Sequence, residues 1–149
     1  MPEPHALPPD DLAYLRAKAV ADGSPWVRRS VLQKIADGWP ADPRTWPLLC
    51  ERAAADPHPD VRCAALAAIV RGWAGDPATL PMLHDLAGDR HKDVRVAAVR
   101  AIARTWPDDP GTLTLLAERA AADPHEHVRQ VARDLLAGAP SIEPPDDVV

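Results

Sequence analysis

The sequence predicts an all-α fold, an α-solenoid in which about four antiparallel helix pairs are stacked. The first observation is a Val-Arg pair that recurs at spacings of 34, 33 and 34 residues, beginning at Val27, Val61, Val94 and Val128. The second is an aspartate six residues before each of these arginines, at Asp22, Asp56, Asp89 and Asp123. The third is a Trp-x-x-Asp-Pro motif that begins at Trp39, Trp73 and Trp106. A fixed period of this length indicates stacked repeats, because one helix pair cannot bury its apolar face alone.

The Trp-x-x-Asp-Pro motif predicts the start of the first helix in each pair. Aspartate is a preferred helix N-cap, and proline suits the first helical position because its missing N–H is not needed there. We therefore expect N-caps at Asp42, Asp76 and Asp109. Each of these helices is expected to end at the aspartate that precedes the next Val-Arg pair.

The Val-Arg pair predicts the start of the second helix. From this pair onward, apolar side chains recur at i, i+4 and i+8, as in Val61, Ala65 and Ile69. The same stripe is repeated as Val94, Ala98 and Ile102, and as Val27, Val31 and Ile35. This spacing places the stripe on one face of a helix, so we expect it to form the core.

The repeats are predicted to occupy residues 10–139 as one domain. The proline-rich segment 1–9 and the acidic segment 140–149 lack apolar periodicity and are expected to be disordered tails. No stretch approaches the roughly 18 consecutive apolar residues of a membrane span, and the first residues do not resemble a signal peptide. We therefore expect a cytoplasmic protein that does not bind membranes, with Cys50 and Cys63 as reduced thiols.

The charge distribution argues against a nucleic-acid partner. The net charge is -5, but six of the 22 acidic residues lie outside residues 12–139, whereas all 17 Lys and Arg lie inside that range. The repeat region is therefore close to neutral. It lacks the basic stripe that a nucleic-acid-binding protein needs.

The Asp-x5-Arg spacing, the Val-Arg opening of the second helix and the stripe rich in small residues together resemble HEAT repeats. The likeness is to the short bacterial HEAT-like type also found in phycobilin lyases, and it covers roughly residues 10–139. The junctions also resemble repeat arrays attached to NTPase modules, although no GxxxxGK[ST] motif occurs here. The resemblance implies an Asp-Arg ladder between repeats and a concave surface lined by the second helices. It also makes a separately encoded NTPase or effector one candidate partner.

One histidine per repeat, at His58, His91 and His125, raises the question of a metal or catalytic site. Equivalent positions in stacked helix pairs are about 10 Å apart, whereas the ligands of one zinc ion lie about 2.1 Å from it. We therefore interpret these histidines as polar residues of exposed turns. HEAT-like enzymes related to deoxyhypusine hydroxylase use His-Glu pairs in several repeats, and this chain has one, at His125 and Glu126. No catalytic residue, metal site or cofactor is predicted.

The predicted function is a non-enzymatic scaffold or adaptor that binds a protein or peptide on the concave helical face. Positions two, six and ten after each valine face away from the core stripe. The candidate contact residues are Arg71, Arg100 and Arg104 as a basic patch, with Cys63, Val96, Arg29 and Trp26. Such a patch suits an acidic segment of the partner, although a solvated face has the same pattern. Trp26 either packs beneath the N-terminal tail, which is the favoured interpretation, or is exposed as an anchor for a partner. The alternative function is an enzyme or enzyme subunit of the HEAT-like lyase or metal-dependent type.

Overall fold

A computed structural model describes residues 9–138 of the chain, with side chains from Asp11 onward. Eight α-helices and no strands occur in this range, and the predicted all-α class is confirmed. The helices are α1 (Pro9–Ala21), α2 (Pro25–Gly38), α3 (Thr45–Ala55), α4 (Pro59–Trp73), α5 (Thr79–Leu86), α6 (Lys92–Thr105), α7 (Pro110–Ala122) and α8 (Glu126–Leu136). The predicted tails, 1–9 and 140–149, lie outside the described residues except for Pro9, which begins α1.

The chain divides into two compact units, Met1–Trp73 and Ala74–Val149. In the first unit, α1 packs on α2, α3 packs on α4, and the two second helices, α2 and α4, pack on each other. In the second unit, α5 packs on α6, α7 packs on α8, and α6 packs on α8. Each unit therefore contains two stacked helix pairs, as the repeats predict.

The apolar stripe of the second helices forms the core of each unit. Val61, Ala65 and Ile69 are fully buried in α4, and so are their counterparts in α6, Val94, Ala98 and Ile102. In α2, Val31 and Ile35 are buried, whereas Val27 in the first turn is only half-buried. The helical periodicity therefore predicts the core correctly, apart from the start of α2.

The Asp-Pro turns behave alike, but only one of them directly begins an α-helix. All three predicted capping aspartates accept a hydrogen bond from the backbone N–H two residues on, at 2.8–2.9 Å. Asp109 is the N-cap of α7, as predicted. After Asp42 and Asp76, one further turn intervenes, and the helices begin at Thr45 and Thr79. The predicted cap positions of α3 and α5 are therefore wrong by two residues, although the predicted backbone bonds form.

Candidate functional site

The aspartate and arginine that define the repeat are joined within every repeat. In each case the arginine Nη1 donates to the backbone carbonyl oxygen of the aspartate six residues earlier, at 2.7–2.9 Å. This bond spans the turn that precedes the second helix and fixes where that helix starts. It explains why the Asp-x5-Arg spacing is the most regular feature of the sequence.

The aspartate carboxylate is bonded by the arginine of the preceding repeat. In the first unit, Asp56 is fully buried and accepts from Nε and Nη2 of Arg28, at 2.9 and 3.0 Å. Arg52 and the backbone N–H of His58 complete its hydrogen bonds, at 3.2 and 2.9 Å. In the second unit, Asp123 has the same environment, with Arg95, Arg119 and the N–H of His125 as donors. The ladder implied by the resemblance is therefore present within each unit.

These bonds control the ionisation of the two buried carboxyl groups. Burial alone would raise the pKa of Asp56, but the hydrogen bonds from Arg28 and His58 outweigh it and hold the pKa below its ordinary value. The same balance, with Arg95 in the place of Arg28, lowers the pKa of Asp123. Both aspartates are thus kept as anions inside the fold. The arginines that bond them are occupied by structural bonds and are not available to a ligand.

The repeated histidines cap the second helices. The Nδ1 atoms of His58, His91 and His125 each accept a hydrogen bond from the backbone N–H two residues on, at 3.1 Å. Accepting this bond requires a neutral ring that carries its proton on Nε2. Among residues 11–138, no group of three or more His, Cys, Asp or Glu side chains is arranged to hold a metal ion. The interpretation of these histidines as turn residues is confirmed, with a capping role that the sequence alone did not predict.

This role predicts that His91→Ala lowers the free energy of unfolding by about 1 kcal/mol, because one N–H of the first turn of α6 loses its acceptor. His91→Asn should stay within a few tenths of a kcal/mol of the wild type, because asparagine is a strong N-cap. Urea denaturation followed by circular dichroism measures both values. Equal losses in the two variants would argue against capping, and so would a melting temperature that rises when zinc is added.

Three of the predicted contact residues lie close together in the first unit. Trp26 is 59% exposed at the start of α2, and its ring centroid is 6.2 Å from that of His58. Arg29, one turn further along α2, and Cys63 of α4 line a groove of about 210 Å³ between the two helices. Gln33, Asp60, Ala64 and Ala67 complete this α2–α4 groove. The sequence pattern predicts an outward position for Gln33, six residues after Val27, but it does not select Asp60.

Arg71 also lies between α2 and α4, where it forms an ion pair. Its Nη2 is 3.6 Å from Oδ1 of Asp37, and both side chains are more than half exposed. A second cavity of about 250 Å³ lies beside this pair, lined in part by Ala68 and Trp73. Asp37 and Arg71 each follow the valine of their repeat by ten residues. Their pairing could have been predicted from these equivalent positions in the sequence. Arg71 is therefore a partly neutralised charge.

The remaining predicted contact residues belong to the second unit. Val96 is only 7% exposed, because α8 packs over it with Val128 and Val131. The prediction that Val96 contacts a partner is therefore wrong, and its role is in the core. Arg100 is half-buried and Arg104 is exposed, one turn apart on α6. Neither arginine has a hydrogen-bonding or ion-pair partner among the described residues.

The comparisons with known proteins identify one family. A family model described as HEAT repeats matches residues 46–137, which include α3 to α8 apart from the first residue of α3. No curated protein and no solved structure matches the chain. HEAT repeats commonly mediate protein-protein interactions. In the part of the chain that the structure describes, no helix is long and apolar enough to cross a membrane.

Proposed function

Because the chain belongs to the HEAT-repeat family, we propose that it is a non-enzymatic scaffold or adaptor that binds a protein or peptide partner on the exposed faces of its second helices. The observation that carries the proposal is the α2–α4 groove, together with exposed Trp26, one turn before Arg29 on α2, and the Asp37–Arg71 pair beside the second cavity. A cytoplasmic location, expected from the sequence, is part of this proposal.

The exposed face of α2, which borders the α2–α4 groove, has the length and chemistry of a peptide-binding surface. Trp26 and Asp37 are eleven residues apart on one helix, or about 16 Å at 1.5 Å per residue. That length accommodates about five residues of an extended peptide. Tryptophan is enriched among the residues that dominate interface energies, and Trp26 is the most exposed tryptophan of the described chain. Arg29, Gln33 and Asp60 add polar groups that can fix the orientation of a bound segment.

In the second unit, Arg100 and Arg104 favour a partner with an acidic segment. Their guanidinium groups are one helical turn apart and have no partner among the described residues. Charge-assisted hydrogen bonds to carboxylates are about twice as strong as neutral ones, and oppositely charged surfaces also accelerate association. An acidic segment of a partner, such as a separately encoded NTPase or effector, fits these requirements.

The proposal includes no catalytic activity because the reactive side chains of the repeats already form structural bonds. The repeated arginines and aspartates are held in the ladder, and the repeated histidines cap helices. A catalytic site needs a nucleophile, a base and a stabilising group that converge on one reacting atom. The repeated side chains that could carry such chemistry serve structural bonds instead.

Affinity capture with paired baits tests the proposal. The wild type is compared with Arg100→Glu/Arg104→Glu and with a control, Lys34→Glu/Arg90→Glu, which makes the same charge change at other exposed positions. We expect a partner that the wild type and the control retain and that the Arg100/Arg104 variant loses at least tenfold. Equal retention by all three baits would place the contact elsewhere. A metal ion or chromophore bound at one equivalent per chain would instead support the enzymatic alternative.

A further inference from the structure

A groove that the proposed function does not use lies between α1 and α3 of the first unit. Its volume is about 460 Å³, within the range of about 300–1,000 Å³ that is usual for ligand sites. The walls are mainly aliphatic and come from Ala13, Ala17, Val20, Pro43, Pro47 and Leu48. Val20 is 44% exposed there, although it is a large apolar side chain. We call this the α1–α3 groove.

Arg16 is the one side chain of the α1–α3 groove whose charge is not matched by a bond. Its Nη1 atom is buried from solvent and has no hydrogen-bond partner. No other atom of Arg16 bonds to a described residue. A buried N–H without a partner is unfavourable, because its hydrogen bond to water is lost and nothing replaces it. Arg16 as a whole is only half-buried, so the residue is still accessible to a ligand.

The other charged groups at the groove are already paired with each other or with neighbours. Arg44 binds Asp42 through Nε and Nη2, at 3.1 Å each. Glu51 accepts from Nη2 of Arg52 at 2.8 Å. Asp42 is near enough to Arg16 to influence it electrostatically, but both of its oxygens are bonded by Arg44. Arg16 is left as a single cation that lacks a bonded anion.

The sequence of the repeats shows that Arg16 is not required by the fold. The residues at the helical position of Arg16 in the other repeats are Cys50, His84 and Ala117. None of the three is a lysine or an arginine. Only the first repeat has a long cationic side chain at this position, and that side chain lines the α1–α3 groove.

We propose that the α1–α3 groove is a second docking site, for a segment of a partner protein that presents a glutamate or aspartate between aliphatic residues. The carboxylate bonds the solvent-facing side of the Arg16 guanidinium group, and the aliphatic side chains pack on Ala17, Val20 and Leu48. The single unmatched cation fits a single negative charge. A phosphate group carries up to two charges and would lie near the carboxylates of Asp42 and Glu51, which would repel the second one. This site is distinct from the α2–α4 groove, so either site can fail a test without the other.

The proposal makes stability and binding change in opposite directions. Arg16→Met removes the buried N–H that lacks a partner and keeps an apolar side chain of similar length, so the urea midpoint of unfolding should rise. A purely structural arginine would give the reverse result. Lys34→Met is the matched control, because Lys34 is an exposed cation on α2 that lines neither the α1–α3 groove nor the α2–α4 groove, and its urea midpoint should not rise.

Binding is measured by fluorescence anisotropy of the full chain with labelled nonapeptide mixtures. The mixtures have a central glutamate, or a central glutamine as the matched probe, flanked by random Ala, Leu, Val and Pro. We expect wild type and Lys34→Met to bind the glutamate mixture at least tenfold more tightly than the glutamine mixture, and Arg16→Met to lose this preference.

Three results would overturn the proposal. The first is an equal affinity of the wild type for both mixtures. The second is a lower urea midpoint for Arg16→Met. The third is a wild-type dimer in sedimentation equilibrium that Arg16→Met abolishes, since that result would assign the groove to a second copy of the chain.

Discussion

Arg95→Ala is expected to lower the free energy of unfolding by about 3–5 kcal/mol, the usual effect of removing one partner of a buried ion pair. Arg95 is 7% exposed and bonds both oxygens of Asp123, at 2.9 and 3.0 Å. It also bonds the carbonyl oxygen of Asp89 at 2.9 Å. The variant leaves Asp123 buried with fewer hydrogen-bond donors. It also removes the hydrogen bond that holds the turn before α6. Urea denaturation at pH 7 measures the loss.

Arg104→Ala is the control for this experiment. Arg104 is an exposed arginine on the same helix, without a bonded partner among the described residues. Its replacement should change the free energy of unfolding by no more than about 0.5 kcal/mol. If Arg95→Ala has as small an effect as Arg104→Ala, the ladder is not what stabilises the second unit.

Acid is expected to remove the stability that the ladder contributes. The pKa values of Asp56 and Asp123 are lowered in the folded state, so the folded protein holds fewer protons than the unfolded chain near pH 4. The contribution is therefore fully present above the unfolded pKa of about 3.9, and it is lost as the pH falls through the folded values. We expect the urea midpoint to be nearly constant from about pH 7 to 5 and to fall steeply below about pH 4.

The double variant Asp56→Asn/Asp123→Asn tests the origin of this acid dependence. It should be much less stable than the wild type at pH 7, because the arginines lose their buried anions. Its stability should also vary much less between pH 5 and 3. Asp42 and Asp93 have lowered pKa values as well, through Arg44 and Lys92, but these pairs are exposed and contribute little. An acid dependence as steep as that of the wild type would show that other carboxyl groups control it.

The sequence predicts those parts of the structure in which the interacting residues are close along the chain. The bond from each repeated arginine to a carbonyl spans six residues, and each histidine cap spans two. The apolar stripe repeats at every helical turn. Such features depend on local geometry and the repeat period, both of which can be read from one chain.

Residues whose environment depends on the next helix pair could not be predicted in the same way. Val96 and Cys63 occupy equivalent positions, yet Val96 is buried by α8 whereas Cys63 lines a groove. The burial of one nitrogen of Arg16 likewise depends on how α1 and α3 are placed. In these cases the burial of the side chain is decided by the volumes of the side chains on a neighbouring helix. The repeat pattern carries no information about those volumes.

The ladder also bears on how such an array can evolve. Each rung joins an arginine of one repeat to the aspartate of the next, 28 residues later in both Arg28–Asp56 and Arg95–Asp123. The outermost members, Asp22 and Arg129, are half-buried and have no such inter-repeat bond among the described residues. A recombination event that duplicates or deletes a whole unit therefore keeps the arginine and the aspartate of each of these rungs together. Gene duplication can change the length of such an array without separating the two members of these rungs.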